Sequence, residues 1–85
     1  MDEANTIKLD KEERTKIIGK IIKIDKKGYG FITSVEIPFT RIFFHWTALD
    51  KDSPNYTQLK IGMRVRFTPI ELINKGWRAI NVEVL

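Results

Sequence analysis

Two stretches of the 85-residue chain, Lys27-Gly28-Tyr29-Gly30-Phe31-Ile32-Thr33 and Ile42-Phe43-Phe44-His45-Trp46, carry rings at every second position of a predicted strand. Alternate residues of a strand share a face, so Tyr29 and Phe31 lie on one side and Gly28, Gly30 and Ile32 on the other. If Ile32 and its neighbours face the core, Tyr29 and Phe31 point outward. Lys20, Lys23, Lys26 and Lys27 cluster just before the first ring. Exposed rings beside cations suit a single-stranded nucleic acid, with flat surfaces for bases and positive charge for phosphates.

The elements that must hold these rings are short and β-rich. Residues 1–16 are polar and of mixed charge, with Ile7 and Leu9 their only good core candidates. They are expected to form a disordered, flexible arm, with a transient helical turn around Asp10 to Arg14. From Ile17 to Leu85 the pattern predicts one domain. A first strand covers Ile17 to Ile24, with a bulge or bend at Gly19. A turn follows at Asp25 to Gly28, then strands at Tyr29 to Ser34 and Arg41 to Trp46, separated by a loop at Glu36 to Thr40 that holds Pro38. A long connection spans Asp50 to Gln58. Met63 to Leu72 alternates as a fourth strand, with Met63, Val65 and Phe67 opposed to Arg64, Arg66 and Thr68. Asn74-Lys75-Gly76 supplies a hairpin turn before a last strand at Trp77 to Leu85. Five strands with no helix fit an all-β, five-stranded antiparallel barrel, which also removes exposed sheet edges.

Composition narrows the functions. With no cysteine and one histidine, His45, thiolate and multi-histidine metal sites are excluded. No metal or other cofactor is expected. No nucleophile sits in a recognisable turn, His45 has no evident carboxylate partner, and no phosphate-binding loop of the NTPase type is present, so catalysis and a small-molecule substrate are not expected. No apolar run reaches membrane-helix length and no signal-peptide core opens the chain, so a cytoplasmic location and no membrane partner are expected. Fifteen Lys and Arg against eleven Asp and Glu give a net charge of +4, a modest bias toward polyanions.

The order of these motifs resembles the cold-shock domain family, a five-stranded OB-fold barrel that binds single-stranded RNA and DNA. Lys27 to Ile32 resembles its first ribonucleoprotein motif and Phe43-Phe44-His45-Trp46 its second. Tyr56-Thr57-Gln58-Leu59, Gly62 to Phe67 and Lys75 to Val82 resemble the approach to its fourth strand, that strand itself and its closing strand. The resemblance implies stacking of bases on Tyr29, Phe31, Phe43, His45 and Trp46, with Tyr56 adding a ring from the long connection. It implies a contact from Lys27 to phosphate or a base edge, beside which Lys20 and Lys23 of the same cluster are further candidate nucleic-acid contacts, and a barrel filled by Ile32, Ile42, Phe44, Val65 and Val82. The family's first strand offers Lys-Trp-Phe where this chain reads Ile22-Lys23-Ile24, and the turn after it is one residue shorter. Trp77 stands where proline is frequent and reads as a packing residue. An RNA-chaperone or regulatory role, pyrimidine-rich targets and a monomer are the corresponding expectations. The competing reading is a protein-interaction barrel that uses the same aromatic patch for a peptide.

Overall fold

The computed structural model describes residues 15–85, and the expected arm lies outside them except for Thr15 and Lys16, which are exposed. Five strands follow: β1 (Ile17–Asp25), β2 (Tyr29–Ser34), β3 (Ile37–His45), β4 (Arg64–Leu72) and β5 (Gly76–Val84). Two short 3₁₀ turns, η1 (Trp46–Ala48) and η2 (Tyr56–Gln58), interrupt the connection from β3 to β4. The strands close into a barrel in the order β1-β2-β3-β5-β4. Every pairing is antiparallel except the closing one, where β3 meets β5 in parallel at Phe43 and Arg78.

Alternation sends one face of each strand inward. Ile21, Ile32, Ile42, Phe44, Val65, Phe67, Ala79 and Val82 have no solvent exposure, and Leu59 from the long connection caps them. All five residues expected to fill the barrel are therefore in this core. Each buried aliphatic or aromatic side chain of this size contributes roughly 1.5–3 kcal/mol of transfer free energy. Trp77 packs partly buried against the same core.

Three irregularities shift the phase of the alternation and correct the sequence reading. The bulge in β1 falls at Ile22, not at Gly19: Ile21 pairs with Ile32 and Lys23 with Phe31, while Gly19 pairs regularly with Val65. β3 starts at Ile37 rather than at Arg41, because Ser34 and Ile37 close the ladder across a two-residue turn. Pro38 to Arg41 then bulge out opposite Thr33, so the missing N–H of Pro38 leaves no gap in the ladder. Within this bulge Phe39 has φ 59° and is fully exposed. Between β4 and β5 the register steps from Arg66–Glu83 to Thr68–Ile80, which buries Thr68 beside Phe67 although the pattern had set it with the polar residues. Asn81 takes up this step with φ 52°, a conformation that asparagine adopts more readily than most residues.

Candidate nucleic-acid interface

Directly paired residues of neighbouring strands project from the same face, and the ladder sets two rows across the outside of the barrel. One runs Lys23, Phe31, Phe43 and Arg78 through β1, β2, β3 and β5. The next runs Asp25, Tyr29 and His45. The rings are half-buried and mutually supported: Tyr29 and Phe43 stack at 5.7 Å between centroids with planes 26° apart. Phe31 meets Phe43 edge-on at 6.0 Å and Tyr29 at 6.2 Å. Such pairs are favourable offset-stacked and T-shaped arrangements, so the rings hold one another upright without entering the core. The outward orientation expected for Tyr29, Phe31 and Phe43 is the observed one. Gly30 permits it from below, because a Cβ there would collide with the ring of Phe44 and the carbonyl of Lys23.

Trp46 is not in β3 but opens η1, where its indole is about half exposed at 53 %. Its backbone N–H donates to the Gly28 carbonyl at 2.8 Å, and the indole Cδ1 would lie 2.8 Å from any Cβ at Gly28. Gly28 has φ 104°, so the β1–β2 turn and the tryptophan can meet only through a glycine. The Trp46 ring lies 5.8 Å from His45, extending the aromatic surface past the end of the strand. His45 itself is oriented by its own turn, with Nδ1 2.9 Å from the Thr47 hydroxyl.

Tyr56 occupies a place between platform and core. Its hydroxyl donates to the carbonyl oxygens of Asp25, at 2.7 Å, and of Tyr29. Its ring lies 6.3 Å from buried Phe44. The end of the long connection is here a 3₁₀ turn with an Asn55–Gln58 capping box, in which the Asn55 N–H donates to Gln58 Oε1 at 3.1 Å. Burial pushes the Tyr56 phenol above its ordinary value, opposed by its backbone hydrogen bond. Tyr56 thus ties the long connection to the end of β1 and the start of β2, on either side of the turn that opens the first motif.

The lysines separate. Lys23 stands in the first ring row and Lys27 in the exposed turn beside it. Lys20 is one row beyond, opposite Thr33 and Arg64, where it lines a separate groove with Ile18, Ile22 and Val35. Two cations that the motif reading did not single out stand over the platform instead. The Arg41 guanidinium lies 5.3 Å from the centroid of Phe31 and that of Arg78 5.1 Å from Phe43. Arg41 was legible in principle, two residues before Phe43 on the same strand. Arg78 was not, because only barrel closure brings β5 against β3.

Asp25 sets a carboxylate in the second ring row. Asp25 accepts from the Lys27 N–H at 2.8 Å, and this bond holds its carboxyl below the usual range against partial desolvation, with the Tyr29 hydroxyl and the charges of Lys27 and Lys23 assisting. The same anion raises the Tyr29 phenol, chiefly through its charge. Among the described residues no group of three or more His, Cys, Asp or Glu is placed to hold a metal ion, and no helix is long and apolar enough to cross a membrane.

A closed five-stranded barrel with rings and cations on one outer face is the build of an OB-fold nucleic-acid-binding domain. The sequence profile of the 'Cold-shock' DNA-binding domain matches residues 18–85, and the chain belongs to that family. Among solved structures it is similar to drosophila Unr CSD456, with a TM-score of 0.68 and 27% identity. That likeness covers 98% of this chain and 31% of the other, so this chain spans about a third of the solved neighbour's length. No curated protein matches it. The family is one of nucleic-acid binding, and no catalytic family is indicated.

Proposed function

We propose that the chain binds single-stranded RNA or DNA by stacking bases on Tyr29, Phe31, Phe43, His45 and Trp46 while Lys23, Lys27, Arg41 and Arg78 take phosphates. The observation that carries this reading is the continuous outward row Lys23–Phe31–Phe43–Arg78, with the Tyr29–His45 row beside it. Stacking contributes roughly 1–3 kcal/mol per base on any sequence, since every base has a π-face. A guanidinium over an exposed ring is worth only about 0.5–1 kcal/mol. An arriving base therefore displaces Arg41 and Arg78 from Phe31 and Phe43, and the freed guanidinium groups turn to the phosphates of the strand that displaced them. Four or five stacked bases, less the cost of ordering the strand, correspond to dissociation constants of about micromolar to tens of nanomolar.

A duplex hides its base faces, so this platform selects unpaired strands. Holding RNA unpaired shifts its folding equilibrium by mass action and needs no ATP, which supports a chaperone or regulatory role for a cytoplasmic monomer. The family resemblance supports pyrimidine-rich targets. The test is a titration with oligo-U, oligo-dT and a duplex of equal length, followed by tryptophan fluorescence at two salt concentrations. Both single strands should quench and the duplex should not. Phe31→Ala and Phe43→Ala should each weaken binding about 5- to 100-fold with the barrel retained. Unchanged affinity in both variants overturns the proposal, and an acidic peptide that binds where oligonucleotides do not would establish the protein-interaction reading instead.

A further inference from the structure

A cleft of about 480 Å³ opens at the end of the ring platform, between η1 and β5. This lies within the size range of small-ligand sites. His45 and Arg78 form its border with the platform, Ile80 contributes an apolar wall, and Asp50, Lys51 and Asn81 bring polar groups. The geometry points to this cleft as a guanine-binding subsite that receives one base of the strand lying on the platform, and it rests on the reading of that platform as a single-strand interface.

The cleft is built by the irregularity in β5. The step at Asn81 bends the strand, and its Val82 carbonyl accepts from the Asp50 N–H at 2.7 Å while Leu49 bridges Val82 in parallel. The Asp50 carbonyl in turn accepts from Ser53 at 2.9 Å. The backbone that carries the Asp50 carboxylate is thus held from both sides. That residue is half-buried, and no ion pair engages it among the described residues. Near a phosphate-binding surface an unpaired carboxylate is unfavourable unless it faces hydrogen-bond donors.

Guanine supplies such donors. Its N1–H and N2–H lie side by side and match the two oxygens of a carboxylate, while O6 and N7 on its other edge accept from a cation such as Arg78 or Lys51. Uracil and thymine offer one ring N–H between two carbonyl oxygens, and cytosine and adenine offer one exocyclic amine. A carboxylate that shares the cleft with Arg78 and Lys51 therefore discriminates for guanine, and Asn81 provides a further donor and acceptor.

The experiment titrates the full chain with heptathymidylate and with variants in which one guanosine replaces each thymidine in turn. At one position guanosine should bind about tenfold tighter than thymidine. Inosine at that position lacks the N2 amine and should lose most of the gain. Asp50→Asn should abolish the difference between guanosine and inosine while leaving heptathymidylate affinity within about twofold. The inosine comparison leaves the protein unaltered, so it decides even if the variant folds poorly. No position at which guanosine surpasses thymidine, or a guanosine preference that survives in Asp50→Asn, overturns the subsite. Heptathymidylate binding without that preference refutes the subsite alone, whereas no binding to heptathymidylate refutes the platform and the subsite with it.

Discussion

Tyr56 shows how a ring near the platform can serve the fold more than the ligand. Its hydroxyl reaches the Asp25 and Tyr29 carbonyl oxygens, so one proton ties η2 to the ends of β1 and β2. Removing a partner from partly buried carbonyls costs about 1–3 kcal/mol. Tyr56→Phe should therefore lower stability by about 1–2 kcal/mol in urea denaturation while its ring stays in place. Oligo-dT affinity should fall less than about threefold, against the larger losses expected for Phe31→Ala and Phe43→Ala. A Tyr56→Phe protein of unchanged stability but lost affinity would make the residue a ligand contact rather than a tether. Asp25 is tied to the same corner, and its role is electrostatic. Its carboxyl is held low chiefly by the Lys27 N–H, so its contribution to stability is present above its unfolded value near 3.8 and lost as pH falls through its folded value.

At the level of elements, Glu83 makes the same acid-sensitive contribution between strands. Its carboxylate accepts from Arg66 Nε at 2.8 Å across the β4–β5 pair, with Lys16 3.9 Å away, and the Arg66 bond lowers its pKa. A folded pKa below the unfolded value binds fewer protons in the native state, so stability should decline only as pH drops below about 4.5, toward the folded values. Thermal melts from pH 7 to pH 2.5 should be flat at the upper end, and Glu83→Gln should remove part of the acid slope. Both pairs are solvent-exposed, so the slope should be shallow and should weaken further in salt. The family resemblance placed Ile32, Ile42, Phe44, Val65 and Val82 in the barrel filling, and the outward face of Tyr29 and Phe31 was legible from strand alternation. It failed where a strand carries an extra residue. Lys20 and Lys23 are three apart, an odd spacing that sets them on opposite faces of a regular strand, yet both lie outward because the bulge at Ile22 absorbs one position. Pro38 to Arg41 and Asn81 hide the phase of β3 and β5 in the same way. Bulges depend on what the partner strand offers, and one strand's sequence does not carry that information.

For the whole molecule, closure of the barrel decides where charge meets rings. A net charge of +4 spread evenly would bind polyanions weakly and without regard to strand state. Closure instead joins β5 to β3, which carries Arg78 to Phe43 and makes a cationic border on the side opposite Lys23. Single-strand binding loses affinity with a logarithmic salt slope of roughly −0.7 for each phosphate neutralised. If Lys23, Lys27, Arg41 and Arg78 each neutralise one phosphate, the slope is about −2.8, so a tenfold rise in salt costs roughly 600-fold in affinity for oligo-dT. The stacking part does not screen, and binding should level off at high salt rather than vanish. Arg41→Met with Arg78→Met should reduce the slope to about −1.4 while high-salt binding, which reports ring contact, stays within about threefold. An unchanged slope in that double variant would move the phosphate path off the edge that β3–β5 closure builds and leave it on the lysines of β1 and its turn. A slope reduced together with collapsed high-salt affinity would mean that the guanidinium groups hold bases between themselves and the rings, in place of stepping aside for them.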